Sequence, residues 1–110
     1  MEKKVFEAFE KICGTREIRG SVLEIGATPD ELSLLNMRAL DKVTEKIGID
    51  LDGPYHFNGF VILKGNANAM IDFSDERFDA VLCNAVLEHD KYFWKTIAEI
   101  KRVTKPGGPV

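Results

Sequence analysis

Apolar residues in this chain follow two patterns. Four short runs are dense in Val, Ile, Leu and Phe: residues 21–25 (SVLEI), 46–51 (KIGIDL), 60–64 (FVILK) and 78–84 (FDAVLCN). The first, third and fourth alternate little, and near-continuous apolar runs suit parallel strands covered on both faces. Between the runs the spacing is helical. Over residues 2–12, Val5, Phe6, Phe9 and Ile12 fall on one stripe with lysines and glutamates elsewhere, and Gly14 supplies a stop. Pro29-Asp30-Glu31 reads as a helix start, with two acids where the helix dipole favours them. Leu32, Leu35, Ala39 and Leu40 would form the buried side of that helix, and Asn36 is a point where it can break. Residues 90–103 make the clearest helix. Phe93, Ile97 and Ile100 are its stripe, Trp94 flanks it as helix core, and Lys101 and Arg102 sit near the end that favours cations.

The predicted order is helix, strand, helix, strand, loop, strand, loop, strand, helix, an α/β pattern. Only fifteen residues separate Asp50 from Gly65, with Gly53-Pro54 and Asn58-Gly59 among them. A parallel crossover helix does not fit that length, so an irregular loop or single turn is expected. Lys105-Pro106-Gly107-Gly108 reads as a turn and Pro109-Val110 as the start of a further strand. The expectation is a single, incomplete domain over residues 1–110.

Length and composition narrow the function classes. At 110 residues the chain is one domain, and 45% hydrophobic against 30% charged residues argues against intrinsic disorder. Fifteen basic against 18 acidic residues give a net charge of −3, which removes a basic footprint for nucleic acid. No apolar run reaches the roughly 18 residues of a membrane span, and the first residues carry acids where a signal peptide would be apolar. Cys13 and Cys83 belong to no CxxC pair, which reads as reduced, buried thiols in a cytoplasmic protein. His56 and His89 lie at no ligand spacing, so no metal site is expected.

In a parallel α/β sheet, ligands bind beyond the carboxyl ends of the strands. Each of the four runs delivers polar atoms or a glycine there: Glu24 to Asp30 after the first, Asp50-Leu51-Asp52-Gly53 at the second, Gly65-Asn66-Ala67-Asn68 after the third, and Asn84 to His89 after the fourth. These residues carry a resemblance. Val22-Leu23-Glu24-Ile25-Gly26, Ile49-Asp50-Leu51, Gly65-Asn66-Ala67, Phe73-Ser74-Asp75, Phe78-Asp79-Ala80-Val81, Val86-Leu87-Glu88-His89, Glu99, Arg102-Val103 and Lys105-Pro106-Gly107-Gly108 follow in family order. The chain resembles the N-terminal part of a class I, S-adenosylmethionine-dependent methyltransferase of the small-molecule type called type 11.

The resemblance implies a three-layer, Rossmann-like α/β methyltransferase fold, truncated to four parallel strands in the order 3-2-1-4. It implies S-adenosylmethionine as cofactor, held by Glu24, Gly26, Ala27, Asp50, Leu51, Asn66, Ala67 and Asn84. Gly26 lets backbone approach the methionine end, and Glu24 favours the cationic parts unless it is a solvated acid. Asp50 can accept from both ribose hydroxyls, or form a turn before Asp52-Gly53. Asn66 can accept from the adenine amino group, or be an ordinary turn residue, while the Ala67 N–H donates to the ring. Met70 and Ile71 pad the adenine or pack in the core.

The expected activity is methyl transfer to a small-molecule acceptor. No base is assignable: His89 and Glu88 read as structural or capping residues. Departures from the family pattern open an alternative. Thr28 and Asp30 stand where glycines are usual, Asn66 replaces an Asp, and later strands are missing. A truncated or degenerate module would then bind cofactor weakly or act as an oligomerising core. Gly26-Ala27-Thr28-Pro29-Asp30 lacks the dinucleotide fingerprint, which disfavours an oxidoreductase. Without a fifth strand, residues 78–84 become a sheet edge, so a homodimer or higher homo-oligomer is expected. Nucleic acid and membrane are not expected partners.

Overall fold

The computed structural model describes residues 3–15, 18–27, 33–57, 59–83 and 90–108. Its centre is β1 (Gly20–Ile25), flanked by β2 (Val43–Asp50) and β5 (Ala80–Cys83), with β4 (Phe60–Lys64) outside β2. These four strands pair in parallel, in register Leu23 with Ile47 and Val81, and Ile47 with Val61. They are the four expected runs, in the expected spatial order.

The sheet nevertheless has five strands, not four. β3 (Tyr55–Phe57) pairs antiparallel with β4 at the outer edge, Phe57 opposite Phe60. The connection from β2 is too short for a helix but long enough for a tight hairpin. Gly59, at φ +81°, takes the left-handed conformation such a turn needs.

Alternation along β1 divides two cores. Val22 faces a cluster with Leu34, Leu35, Leu40, Phe60, Ile62 and Leu82, capped by α1 (Lys3–Gly14). Leu23 and Ile25 face Ile49, Val81, Phe78 and Phe73, capped by α2 (Phe93–Val103). A sheet covered on both faces accounts for its uninterrupted apolar runs.

Three helical expectations are corrected. On α1 the buried side runs through Phe6, Phe9 and Cys13, a spacing of three and seven, and leaves Ile12 62% exposed. After β1 no α-helix forms among residues 33–40. Two 3-10 turns, Leu34–Asn36 and Arg38–Leu40, bury Leu34, Leu35 and Leu40 instead. Residues 28–32, with the expected start at Pro29, lie outside the described residues. On α2 the inward face is Thr96, Ile100 and Val103, while Phe93, Trp94 and Ile97 are exposed. Burial of Thr96 sets that rotation, because its hydroxyl joins a polar network described below.

The free edge of β5 is shorter than expected. Phe78 N–H donates to Val103 O and Lys105 N–H to Phe78 O, both at 2.8 Å, so the chain after α2 pairs beside Phe78. Among the described residues no helix is long and apolar enough to cross a membrane.

Candidate functional site

The carboxyl ends of the parallel strands open into a cleft of about 460 Å³, within the range of small-molecule sites. Backbone geometry forms one side. β1 ends at Gly26, φ +74°, where the chain turns across β2. The N–H groups of Gly26 and Ala27 both donate to Ile49 O, at 2.9 and 3.3 Å. The turn fits because β2 carries Gly48 beneath it: a Cβ there would lie 2.5 Å from the Ala27 Cβ. Gly65 N–H donates to Asp50 O at 2.8 Å and ties the end of β4 to the end of β2.

Gly26, Asp50, Leu51, Asn66 and Ala67, all singled out from the sequence, line this one cleft. Asp50 is half-buried, and no side chain among the described residues takes up its carboxylate, so both oxygens remain for a ligand. Leu51 stands at the rim, 69% exposed. Asn66 Oδ1 accepts from Asn68 N–H at 2.9 Å, an Asx turn that uses one of its lone pairs.

Two other candidates lie beneath the cleft wall. Glu24 is 3% exposed, and Ser33 Oγ donates to its Oε1 at 2.6 Å. Ala27 is fully buried over Gly48. Asn84 lies outside the described residues, as do Thr28, Asp30, Glu88 and His89. Met70 is core, whereas Ile71 is 87% exposed.

The opposite wall consists of Asn68, Asp90, Lys91 and Tyr92. Of these, only Asn68 was expected at the rim. Asp90 accepts from Thr96 Oγ1 at 2.6 Å and from Tyr92 N–H at 2.9 Å. The Asn68 amide nitrogen lies 3.1 and 3.2 Å from the two Asp90 oxygens, 3.2 Å from Tyr92 O and 2.8 Å from Thr96 Oγ1. The Thr96 hydroxyl bond, followed by the Tyr92 N–H and Asn68, holds the Asp90 carboxyl below its ordinary range. The sequence pattern put Asp90 inside the helix of residues 90–103, whereas α2 begins at Phe93 and Asp90 precedes it in a turn.

The same loop is fastened again further along. Glu99 accepts from Met70 N–H at 2.6 Å, and Arg102 donates to Met70 O, Phe73 O, Glu99 and Asp75. At the end of β5, the Cys83 thiol is pushed up to about 11 by burial and by the charges of Glu24 and Asp90.

A family model described as a methyltransferase domain matches residues 23–110. No curated protein gives a significant match. Among solved structures, YcgJ of Bacillus subtilis superposes with a TM-score of 0.72 at 24% identity, covering 90% of this chain and 46% of that one. A protein proposed to be a methyltransferase from Bacillus halodurans gives 0.71 at 21%, covering 93% and 47%. One proposed to be an S-adenosylmethionine-dependent methyltransferase from Methanococcus maripaludis gives 0.67 at 16%, covering 96% and 55%. The chain thus spans about half the length of these structures, and at such identities the likeness is one of fold.

Proposed function

The chain belongs to the methyltransferase-domain family, and on that premise we propose that its cleft binds S-adenosylmethionine for methyl transfer to a small-molecule acceptor. The observation that carries this reading is the convergence of Gly26, Asp50, Asn66 and Ala67 on one cleft from three strand ends. The residues fit the cofactor. Asp50 offers a carboxylate that no side chain among the described residues takes up, suited to a ribose diol. The Ala67 backbone at the cleft and the remaining lone pair of Asn66 Oδ1 suit an adenine edge. Gly26 presents backbone with no side chain in the way.

The cofactor, when bound, would supply a sulfonium methyl group, an activated electrophile. The chain's own residues then have to hold it in place and orient the acceptor, since placement is the principal demand of such a transfer. Glu24, kept in position by Ser33, lowers the potential beneath the strand ends and favours a cation above them.

Calorimetric titration with S-adenosylhomocysteine, with NAD as the competing chemistry, tests the reading. Saturable binding of S-adenosylhomocysteine and none of NAD is expected. Binding of NAD alone, or of neither, overturns it.

A further inference from the structure

The cleft has two walls of different make. One is strand-end backbone with Asp50. The other joins residues 66–68 to residues 90–92, segments more than twenty positions apart, through the Asn68 side chain. Asp90 sits in that second wall. Every group that binds its carboxylate is neutral: the Thr96 hydroxyl, the Tyr92 N–H and the Asn68 amide. Among the described residues no lysine or arginine pairs with it. The Lys91 and Lys95 ammonium groups lie 5.8 and 4.8 Å from the centre of the Tyr92 ring, and Lys91 lines the cleft beside Asp90 without an ion pair to it. Asp90 is therefore a fixed negative charge on the cleft that no lysine or arginine among the described residues pairs with.

A charge so placed acts on the difference between two ligands that share every hydrogen-bonding group. S-adenosylmethionine carries one more positive charge, at sulfur, than S-adenosylhomocysteine. Neutral hydrogen bonds to ribose and adenine are common to both and do not separate them, whereas a carboxylate that does not itself bind the shared groups acts on the difference in charge alone. Resting on the cofactor reading above, we propose that Asp90 is a specificity-determining residue that biases the cleft toward the sulfonium form of the cofactor over its neutral product. Asn68 and Thr96 are positioning residues that hold this charge in place.

The test is the ratio of two affinities, measured by calorimetry on the full chain: S-adenosylmethionine against S-adenosylhomocysteine, in wild type and in Asp90→Asn. The substitution keeps shape and removes charge. The loss of one unit charge acting across water should shift the ratio roughly two- to threefold against S-adenosylmethionine. Asp90→Ser keeps an oxygen for the Tyr92 N–H and should shift it likewise; it serves if circular dichroism shows Asp90→Asn to be unfolded. Equal weakening of both ligands, or an unchanged ratio, overturns the proposal and leaves the cofactor reading standing. A wild type that binds neither ligand overturns both.

Discussion

Replacing Gly48 with alanine puts a methyl group where the turn after β1 rests. Gly48 has ordinary strand backbone, so alanine is not excluded by conformation. The obstacle is steric. The new Cβ would lie 2.5 Å from the Ala27 Cβ and 3.2 Å from Ile62 Cγ1, well inside normal contact. Ala27 and Ile62 are both fully buried, so neither can swing into solvent. Overpacking of this kind costs about 1–3 kcal/mol. Replacing a strand glycine returns roughly 0.5–1 kcal/mol through chain entropy. The net expectation is a loss of up to about 2.5 kcal/mol in urea unfolding, above zero because a Cβ–Cβ approach of 2.5 Å lies at the severe end of overpacking. Relief by lifting Ala27 also strains the bonds from Gly26 and Ala27 to Ile49 O, so affinity for S-adenosylhomocysteine should fall as well. Gly14→Ala is the control. Nothing lies within 4 Å of a Cβ there, and stability should hold or rise slightly. The double variant Gly48→Ala/Ala27→Gly removes the closest contact and should show a favourable coupling of about 0.5 kcal/mol or more. A Gly48→Ala protein with the wild-type urea midpoint, or a double variant with no coupling, refutes the steric argument.

Asp50→Ala should weaken S-adenosylhomocysteine binding by about 1–3 kcal/mol, the range for losing a charged hydrogen-bond partner; unchanged calorimetric affinity removes Asp50 from the site. Ser33→Ala withdraws the hydroxyl from buried Glu24 and should cost about 1–3 kcal/mol in urea unfolding; a midpoint equal to wild type shows that Glu24 does not depend on it. The Arg102 guanidinium, followed by the Met70 N–H, holds the Glu99 carboxyl below its ordinary value of 4.5. The folded-state value is depressed, so this stability is present above the ordinary value and lost as pH falls through the lower one. Arg102→Met should flatten the acid limb of stability against pH in that window, and an unaltered limb contradicts the coupling. Sedimentation at graded concentrations tests the expected self-association. A second copy seated on the short β5 edge and the exposed Phe93, Trp94 and Ile97 should be displaced by Trp94→Glu, and a wild-type monomer at every concentration removes the idea.

The strands were the most legible part of the fold. β4 coincides with the run 60–64, and β1 begins one residue earlier than its run, because strands covered on both faces carry nothing but their apolar character. β3 went unread although Asn58-Gly59 between two phenylalanines is a hairpin signal; its residues are mostly exposed and have no apolar run. The segment after β1 satisfied a helical spacing with Leu35, Ala39 and Leu40, yet two 3-10 turns bury the leucines equally well. The rotation of α2 depends on Thr96 meeting Asn68 and Asp90, a contact that no local period encodes. The site divides in the same way. Gly26, Asp50, Asn66 and Ala67 were readable because parallel strands deliver their ends to one rim. Glu24 and Ala27 stand at such an end too, but the chain folds over them. Asn68 and Asp90 become one wall only through tertiary packing across 22 positions.

The central claim is that this rim, and no other part of the molecule, holds S-adenosylmethionine. An NMR titration of ¹⁵N-labelled chain with S-adenosylhomocysteine reads it residue by residue. Saturable shifts are expected at the amides of Gly26, Asp50, Leu51, Asn66, Ala67, Asn68 and Asp90, with Arg19, Lys105 and Gly108 at the opposite end of the sheet unmoved. Shifts concentrated at that opposite end, or no saturable shift at any amide, would contradict the account.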